Sequence, residues 1–129
     1  MKTNYKVALA LVAGAAIGGA AIQGLHAQAK PPAYYVVDIS DVTDPDGYKV
    51  LSQRPPAVAA AGMQEFGGRF LARTDKITTL DGTAPKRFVI ITFDDVEKAN
   101  AFNNSTNQKE VNAIRIKTTK SRSFIVEGM

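Results

Sequence analysis

Ionisable side chains interrupt segments that are otherwise rich in β-branched and aromatic residues. Asp38 lies in the apolar segment 33–39, and a buried carboxylate without a partner is costly, so it must meet an arginine or face solvent. In an apolar cavity such a pair could act on a small oxygenated substrate, with the carboxylate as base and the guanidinium holding an anionic or carbonyl oxygen. A structural ion pair is the alternative. The candidate catalytic residues are Asp38, Arg69, Arg73 and Arg122.

Hydroxyl groups in the same segments are candidates for ligand binding. Successive side chains of a strand point to opposite faces, so Tyr34 and Tyr35 must face opposite sides of a sheet. A tyrosine hydroxyl at the mouth of a cavity could donate to a ligand, or the ring could simply pack while its tip stays wet. The candidate ligand-binding residues are Tyr34, Tyr35, Thr92 and Ser123.

The residue inventory restricts the chemistry further. The chain has no cysteine, and its single histidine, His26, lies near the N-terminus. A thiol nucleophile, a thiolate metal site and a disulfide framework are therefore excluded. If the N-terminal segment that carries His26 is removed, haem also lacks a histidine or cysteine axial ligand. The aspartates around Pro45 have the spacing of a helix cap rather than of a hard-cation loop. We expect no metal and no cofactor.

The N-terminal segment has the three-part layout of a secretory signal peptide. Lys2 and Lys6 precede the uncharged run 7–22, and Ala27-Gln28-Ala29 provides a small-residue cleavage site. The run is shorter than the roughly 20 residues that a spanning helix needs. We therefore predict that residues 1–29 are removed and that the mature chain is periplasmic or extracellular without stable membrane anchoring. An uncleaved N-terminal anchor is the alternative.

The charge pattern argues against nucleic acid as a partner. Residues 30–129 contain 14 basic and 12 acidic side chains, which leaves a net charge of +2. The two signs are interspersed, without the basic stripe that contacts to phosphates require. These charges are typical of a solvated surface.

The pattern of apolar residues predicts four strands and two interrupted helices. The sequence predicts strands over 33–39, 69–73, 87–93 and 121–127, with 76–80 continuing or re-forming the second. A helix follows the Thr43/Asp44 cap, is kinked by Pro55-Pro56 and ends at Gly67-Gly68. A second helix starts after Asp94 or Asp95, breaks at 103–107 and resumes over 108–117, where Val111 and Ile114 are expected to face inward.

The order strand, helix, strand, strand, helix, strand predicts the ferredoxin-like βαββαβ fold for residues 30–129. Both helices then cover one face of an antiparallel sheet. The other face is also substantially apolar and would be an association site, so we expect a homodimer that pairs these faces in an α+β barrel. We predict that Asp38 and one of the three candidate arginines converge on this helix-free side.

Four segments together resemble a known bacterial family. "YYVVDISDVTDPDGY", "FGGRFLART", "RFVIITFDDVEKANAF" and "SRSFIVEG" are similar to the domain of unknown function 1330 (DUF1330) family, within the dimeric α+β barrel superfamily. The resemblance extends from about Ala33 to Gly128. It implies relatives such as muconolactone-isomerase-like, antibiotic-biosynthesis-monooxygenase-like and chlorite-dismutase-like proteins, many of which bind small molecules between sheet and helices or in the barrel.

One segment departs from the family pattern. Phe102 is followed by "NNSTNQ" instead of a Ser-Pro-Glu-Tyr-like turn, which implies a different ligand or none if that turn shapes a pocket wall. Two functions follow as hypotheses. The first is binding or transformation of a small organic molecule by cofactor-independent acid/base chemistry, and the second is a non-catalytic dimeric module with a structural or stress-related role.

Overall fold

The computed structural model describes residues 30–129. The predicted signal peptide and its cleavage site, which involve residues 1–29, lie outside the described residues. The elements, in chain order, are β1 Ala33–Val42, α1 Pro45–Ser52, α2 Pro56–Gln64, β2 Arg69–Thr74, β3 Arg87–Phe93, α3 Val96–Asn103, α4 Thr106–Thr118 and β4 Thr119–Glu127.

The four strands form one antiparallel sheet in the order β2-β3-β1-β4. Each predicted helix consists of two pieces: α1 and α2 are separated at Pro55, and α3 and α4 at Asn104-Ser105. The helices supply core residues to a single face of the sheet. This is the predicted ferredoxin-like α+β arrangement.

Side-chain caps fix where three of the helices begin. Asp44 accepts from the Gly47 amide at 3.1 Å, and Asp95 accepts from the Lys98 amide at 2.8 Å. Ser105 caps α4 by accepting from the Gln108 amide at 3.3 Å. Each cap satisfies an amide that has no partner within its own helix. The polar segment after Phe102 therefore ends one helix and starts the next.

The hydrophobic core lies between the sheet and the helices. β1 contributes Tyr35, Val37 and Ile39, all buried, which assigns the odd-numbered positions of this segment to the helix side. The helices add Met63 and Phe102, and the Phe102 ring meets Tyr35 edge-on with ring centroids 5.3 Å apart. From Ala33 to Ile39, residues of β3 and β4 that pair with odd-numbered residues of β1 also face the helices.

The side of the sheet without helices, here called the open face, carries the alternate positions Tyr34, Val36 and Asp38 of β1. Val36 pairs with Ile90 on β3 and with Phe124 on β4. Val36 is only 7% exposed, whereas Phe124 is 42% exposed. The open face is therefore apolar and partly uncovered in a single chain.

The prediction that residues 76–80 continue or re-form the second strand is wrong. The ladder between β2 and β3 ends at the Thr74–Phe88 pair, and the Lys76 amide is bound by the Thr74 hydroxyl at 2.9 Å. This local bond replaces a ladder bond, as threonine side chains often do at turns. Leu80, at the end of this segment, is 92% exposed.

Two strands are longer than predicted. β1 continues to Val42 and β4 begins at Thr119 because these segments pair with each other beyond a register shift between Ile39 and Asp41. Within residues 30–129, no helix combines the length and apolar character needed to cross a bilayer.

Candidate functional site

Two predicted site residues meet on the open face. Asp38 lies directly opposite Arg122 in the β1–β4 ladder. Its Oδ2 accepts a hydrogen bond from Arg122 Nε at 3.0 Å and lies 3.0 Å from Arg122 Nη2. The Asp38 side chain is 15% exposed but that of Arg122 is 76% exposed. A pair so open to solvent contributes at most about 1 kcal/mol to stability. The geometry fits a structural ion pair, and a catalytic role for it stays a prediction.

Three other candidates lie on the open face away from this pair. Arg69 and Tyr34 both neighbour Thr92 in the sheet register. Tyr34 is four residues from Asp38 along β1, which corresponds to roughly 13 Å of extended strand. Arg69 is also exposed. The structure therefore does not bring Arg69, Tyr34 and Thr92 together with Asp38.

Arg73 faces the helices because a β-bulge reverses the parity of β2. Arg69 pairs with Thr92 on the open face, and a register shift between Phe70 and Ala72 then places Arg73 opposite Val89 on the helix side. In a regular strand two residues four apart would share a face. Because of the bulge, Arg69 and Arg73 lie on opposite faces of the sheet, although their spacing in the sequence predicts the same face.

On the helix side the structure contains a cavity between the sheet and the helices, with a volume of about 100 Å³. On this measure roughly 10–15 Å³ holds one water molecule. The cavity therefore has room for a ligand of several non-hydrogen atoms. Much of its wall is apolar, including Val37, Val89, Met63 and Phe102, and its charged lining residues are Arg54, Arg73, Arg87 and Arg115.

All of the charged side chains that line this cavity are positive. Its lining contains four arginines but no aspartate, glutamate, histidine or cysteine. None of the four arginines forms a salt bridge with a residue in the described range 30–129. Arginine stays protonated in proteins, so the cavity carries uncompensated positive charge.

Arg115 is the most deeply buried of these arginines, with 6% of its surface exposed. Its Nη1 donates to Asn112 Oδ1 at 2.8 Å, its Nε to Ser121 Oγ at 3.3 Å and its Nη2 to Ser123 Oγ at 3.2 Å. All three acceptors are neutral. A guanidinium has five N–H donors, so two remain for another acceptor.

An amide network holds the Asn112 acceptor in place. Its Oδ1 also accepts from Gln108 Nε2 at 3.0 Å, and its Nδ2 donates to Asn103 Oδ1 at 3.0 Å. Tyr35, the helix-side member of the tyrosine pair, donates its hydroxyl proton to Asn103 Oδ1 at 2.7 Å. The lining residues Tyr35, Gln108 and Arg115 are therefore held by a hydrogen-bond network that connects β1, α3 and α4.

Tyr48 is a second polar feature of the cavity. It is 9% exposed, and its hydroxyl makes no hydrogen bond to any of residues 30–129. Burial raises the pKa of the Tyr48 phenol above its ordinary value of 10.0, although Arg87, Arg73 and Arg115 act in the opposite direction. The phenol is therefore neutral at physiological pH and is a hydrogen-bond donor.

Arg73 is influenced by the same cluster of charges. Burial lowers the pKa of the Arg73 guanidinium, and the positive charge of Arg87 lowers it further. Tyr48 acts in the opposite direction, and Arg54 has the smallest effect, again lowering the pKa. Its Nη2 has only a long contact of 3.5 Å to the Leu51 carbonyl, and the guanidinium lies 5.6 Å from the Phe70 ring centroid. An anion in the cavity would relieve this repulsion.

Sequence reasoning missed Arg115 and Gln108 because it selected only apolar residues as inward-facing. On α4 the buried residues are Gln108, Arg115 and Thr118, whereas Val111 and Ile114 are half-buried. Their spacing could have predicted that they face inward, because positions 108, 111 and 115 lie on one side of a helix. Val111 on that side also lines the cavity, so its inward orientation is as expected.

The fold and the cavity define a ferredoxin-like α+β protein with a cationic cavity between sheet and helices. The family model described as "Domain of unknown function (DUF1330)" matches residues 32–129. The chain belongs to this family, in agreement with the resemblance of its sequence segments.

Solved structures show the same fold at low sequence identity. RPA0582, a protein of unknown function from Rhodopseudomonas palustris, matches with a TM-score of 0.55 and 12% identity over 84% of this chain and 92% of its own. SnoaB, a cofactor-independent oxygenase from Streptomyces nogalater, matches with a TM-score of 0.51 and 12% identity over 77% of this chain and 94% of its own. No curated protein matches the sequence. These likenesses establish the fold alone.

Among residues 30–129 no group of three or more histidine, cysteine, aspartate or glutamate side chains is arranged to hold an ion.

Proposed function

We propose that this protein binds a small organic anion in the cavity between the sheet and the helices. The observation that carries the proposal is Arg115, which is 94% buried yet hydrogen-bonded only to neutral groups. Burying an unpaired charge costs several kcal/mol, and a bound anion would offset that cost. The two unused N–H donors of Arg115 suit a carboxylate, which guanidinium binds in a bidentate manner.

The shape of the cavity supports a compact, partly apolar ligand. Aromatic and aliphatic walls surround the charged groups, as in most small-molecule sites. The ligand class is therefore a small carboxylate with a hydrocarbon body.

Transformation of this anion is the second candidate. The unpartnered Tyr48 hydroxyl favours it, because a phenol close to a bound substrate oxygen could transfer a proton. SnoaB shares the fold and is described as a cofactor-independent oxygenase. Mass analysis of bound ligands before and after incubation in air separates binding from turnover: an unchanged ligand supports the binding role, and a new product supports the catalytic one.

Binding is tested by calorimetry with matched acids and amides. We expect 4-methylbenzoate and crotonate to bind at low salt, and 4-methylbenzamide and crotonamide to bind at least ten-fold more weakly, because the amides lack the charge. Arg115→Met should weaken binding of the acids roughly ten- to hundred-fold, as expected for hydrogen bonds to a charged group. Equal affinities for acids and amides, or no binding of either acid, would overturn the proposal.

A matched control separates the site from overall charge. Arg69→Met removes one positive charge from the exposed surface of β2 and should leave the affinities unchanged. If Arg115→Met fails to fold, Arg115→Lys retains the charge but loses the fork geometry, and it should still reduce carboxylate binding.

We also propose that the protein is exported after removal of residues 1–29 and that it forms a homodimer through the open face. The signal-like N-terminal sequence supports export. The partly exposed Phe124 and Val126 side chains beside the apolar centre of the sheet support pairing of two open faces. In such a dimer each chain would retain its own cavity on the helix side.

A further inference from the structure

The cavity has a second anchoring position besides Arg115. Tyr48 is 91% buried, it lines the cavity, and its hydroxyl has no partner among residues 30–129. An unsatisfied buried hydroxyl is costly, so a ligand acceptor placed there would be stabilised. This group is a donor at neutral pH and needs an oxygen acceptor.

Positive charges flank this second position. Arg73 and Arg87 both face the helix side, from β2 and β3 respectively, and both line the cavity with Tyr48. The charges of both act on the Tyr48 phenol, and that of Arg115 acts on it to a smaller extent. A neutral carbonyl would satisfy the hydroxyl but would leave both guanidiniums without an anionic partner. An anionic oxygen satisfies all three groups.

The two anchors are attached at different parts of the sheet. The Arg115 guanidinium is hydrogen-bonded to Ser121 and Ser123 of β4, one edge strand, whereas Arg73 belongs to β2, the other edge strand. Edge strands of a four-stranded sheet are roughly 14 Å apart at the backbone. Long side chains directed inward from both edges suit the two ends of one compact molecule.

We infer that the ligand carries two acidic groups, one held by Arg115 and the other by Tyr48 with Arg73 and Arg87, and is therefore a small dicarboxylate. This inference rests on the proposed function, because it assigns a substrate class to the same cavity. The four arginines without a carboxylate partner provide ample charge for two carboxylates. The short hydrocarbon between them would contact the apolar wall.

The test uses pairs of acids that differ in one carboxylate. Fumarate is compared with crotonate, and terephthalate with 4-methylbenzoate, so that a methyl group replaces the second carboxylate in each pair. We expect the dicarboxylate of at least one pair to bind about ten-fold or more tightly than its monocarboxylate. Calorimetry on the mature chain, residues 30–129, at low salt gives both affinities.

Variants at the second anchor locate the effect. Arg73→Met and Tyr48→Phe should each weaken binding of the dicarboxylate more than binding of the matched monocarboxylate, and so remove most of the preference. Arg69→Met, an exposed arginine on the opposite face of the same strand, should preserve the preference. Circular dichroism confirms that each variant is folded.

The outcomes distinguish the two proposals. Monocarboxylates that bind more tightly than their amides, and as tightly as the dicarboxylates, would overturn the second anchor and leave the proposed function intact. A dicarboxylate preference that persists in both Arg73→Met and Tyr48→Phe would also overturn it. If no carboxylate binds, both proposals fail.

Discussion

Arg115 donates to Asn112 at 2.8 Å, so a buried guanidinium is paired with an amide oxygen where a carboxylate would neutralise it. The two residues are three apart on α4 and therefore adjacent on its surface. This pairing orients the guanidinium but leaves its charge available. Replacing only the amide changes that balance without changing the shape of the site.

Asn112→Asp should therefore weaken anion binding by about ten-fold or more. The new carboxylate would pair with Arg115 and compete with the ligand. It would also lose the hydrogen bond from Nδ2 to Asn103 Oδ1, so the gain from the ion pair is offset and the free energy of unfolding should change little. Calorimetry with 4-methylbenzoate and urea denaturation measure the two effects. Asn100→Asp makes the same charge change on the exposed surface of α3 and serves as control. Undiminished affinity in Asn112→Asp would contradict a role for the Arg115 charge.

Asp38→Asn should have little effect on either property. The Asp38–Arg122 pair is exposed on its arginine side and lies on the open face, so its loss should cost no more than about 1 kcal/mol in urea denaturation. Affinity for 4-methylbenzoate should not change. A ten-fold loss of affinity would instead support the role in the functional site that the sequence predicts for Asp38.

The Tyr48 phenol should titrate above pH 10. Burial raises its pKa in the folded protein, so its contribution to stability is present below pH 10 and is lost as pH rises through the folded value. The difference in phenolate absorbance between the wild type and Tyr48→Phe isolates this group. A bound anion should raise the midpoint further. A midpoint below 10 would indicate that the surrounding arginines outweigh burial.

Phe124→Glu should convert the proposed homodimer into a monomer. Phe124 is 42% exposed in a single chain, so the variant can fold, but a dimer would bury its charge without a partner. A charge at Val36 should also break the pairing, although Val36 is already buried and the monomer would suffer too. Light scattering reports the molecular mass. Val50→Glu, at an exposed position of α1, is the control and should remain dimeric. An unchanged dimer in Phe124→Glu would exclude the open face as the interface.

The exported protein should begin at Lys30. Cleavage after Ala29 follows from the small residues at the end of the N-terminal apolar run. Intact-mass measurement on protein recovered from periplasm or medium checks this. Recovery of the chain in membranes with Met1 still attached would favour the uncleaved anchor.

The sheet could be predicted because its strands are dominated by residues with strong β preference. "RFVIITF" matches β3 residue for residue, and the alternation in β1 separates Tyr34 from Tyr35 as expected. The proline pair and the polar segment after Phe102 likewise mark real helix boundaries. These features depend on the types of neighbouring residues along the chain, which a single sequence gives directly.

The cavity could not be predicted, for two physical reasons. The bulge at Leu71 depends on how β2 pairs with β3, and it alone decides that Arg73 faces the helices while Arg69 does not. The burial of Arg115 depends on acceptors contributed by β4, which a helical pattern does not reveal. Both features arise from contacts between elements.

α4 passes into β4 at Thr118-Thr119 without a connecting loop. The Thr119 hydroxyl donates to the Arg115 carbonyl at 2.6 Å, which ties the end of the helix to the start of the strand. Inserting or deleting one residue between Arg115 and Ser121 would turn the helix by about 100° relative to the strand and would carry the guanidinium away from its serine acceptors. Members of the family that retain this cavity should therefore tolerate changes of residue type in the junction but not changes of its length.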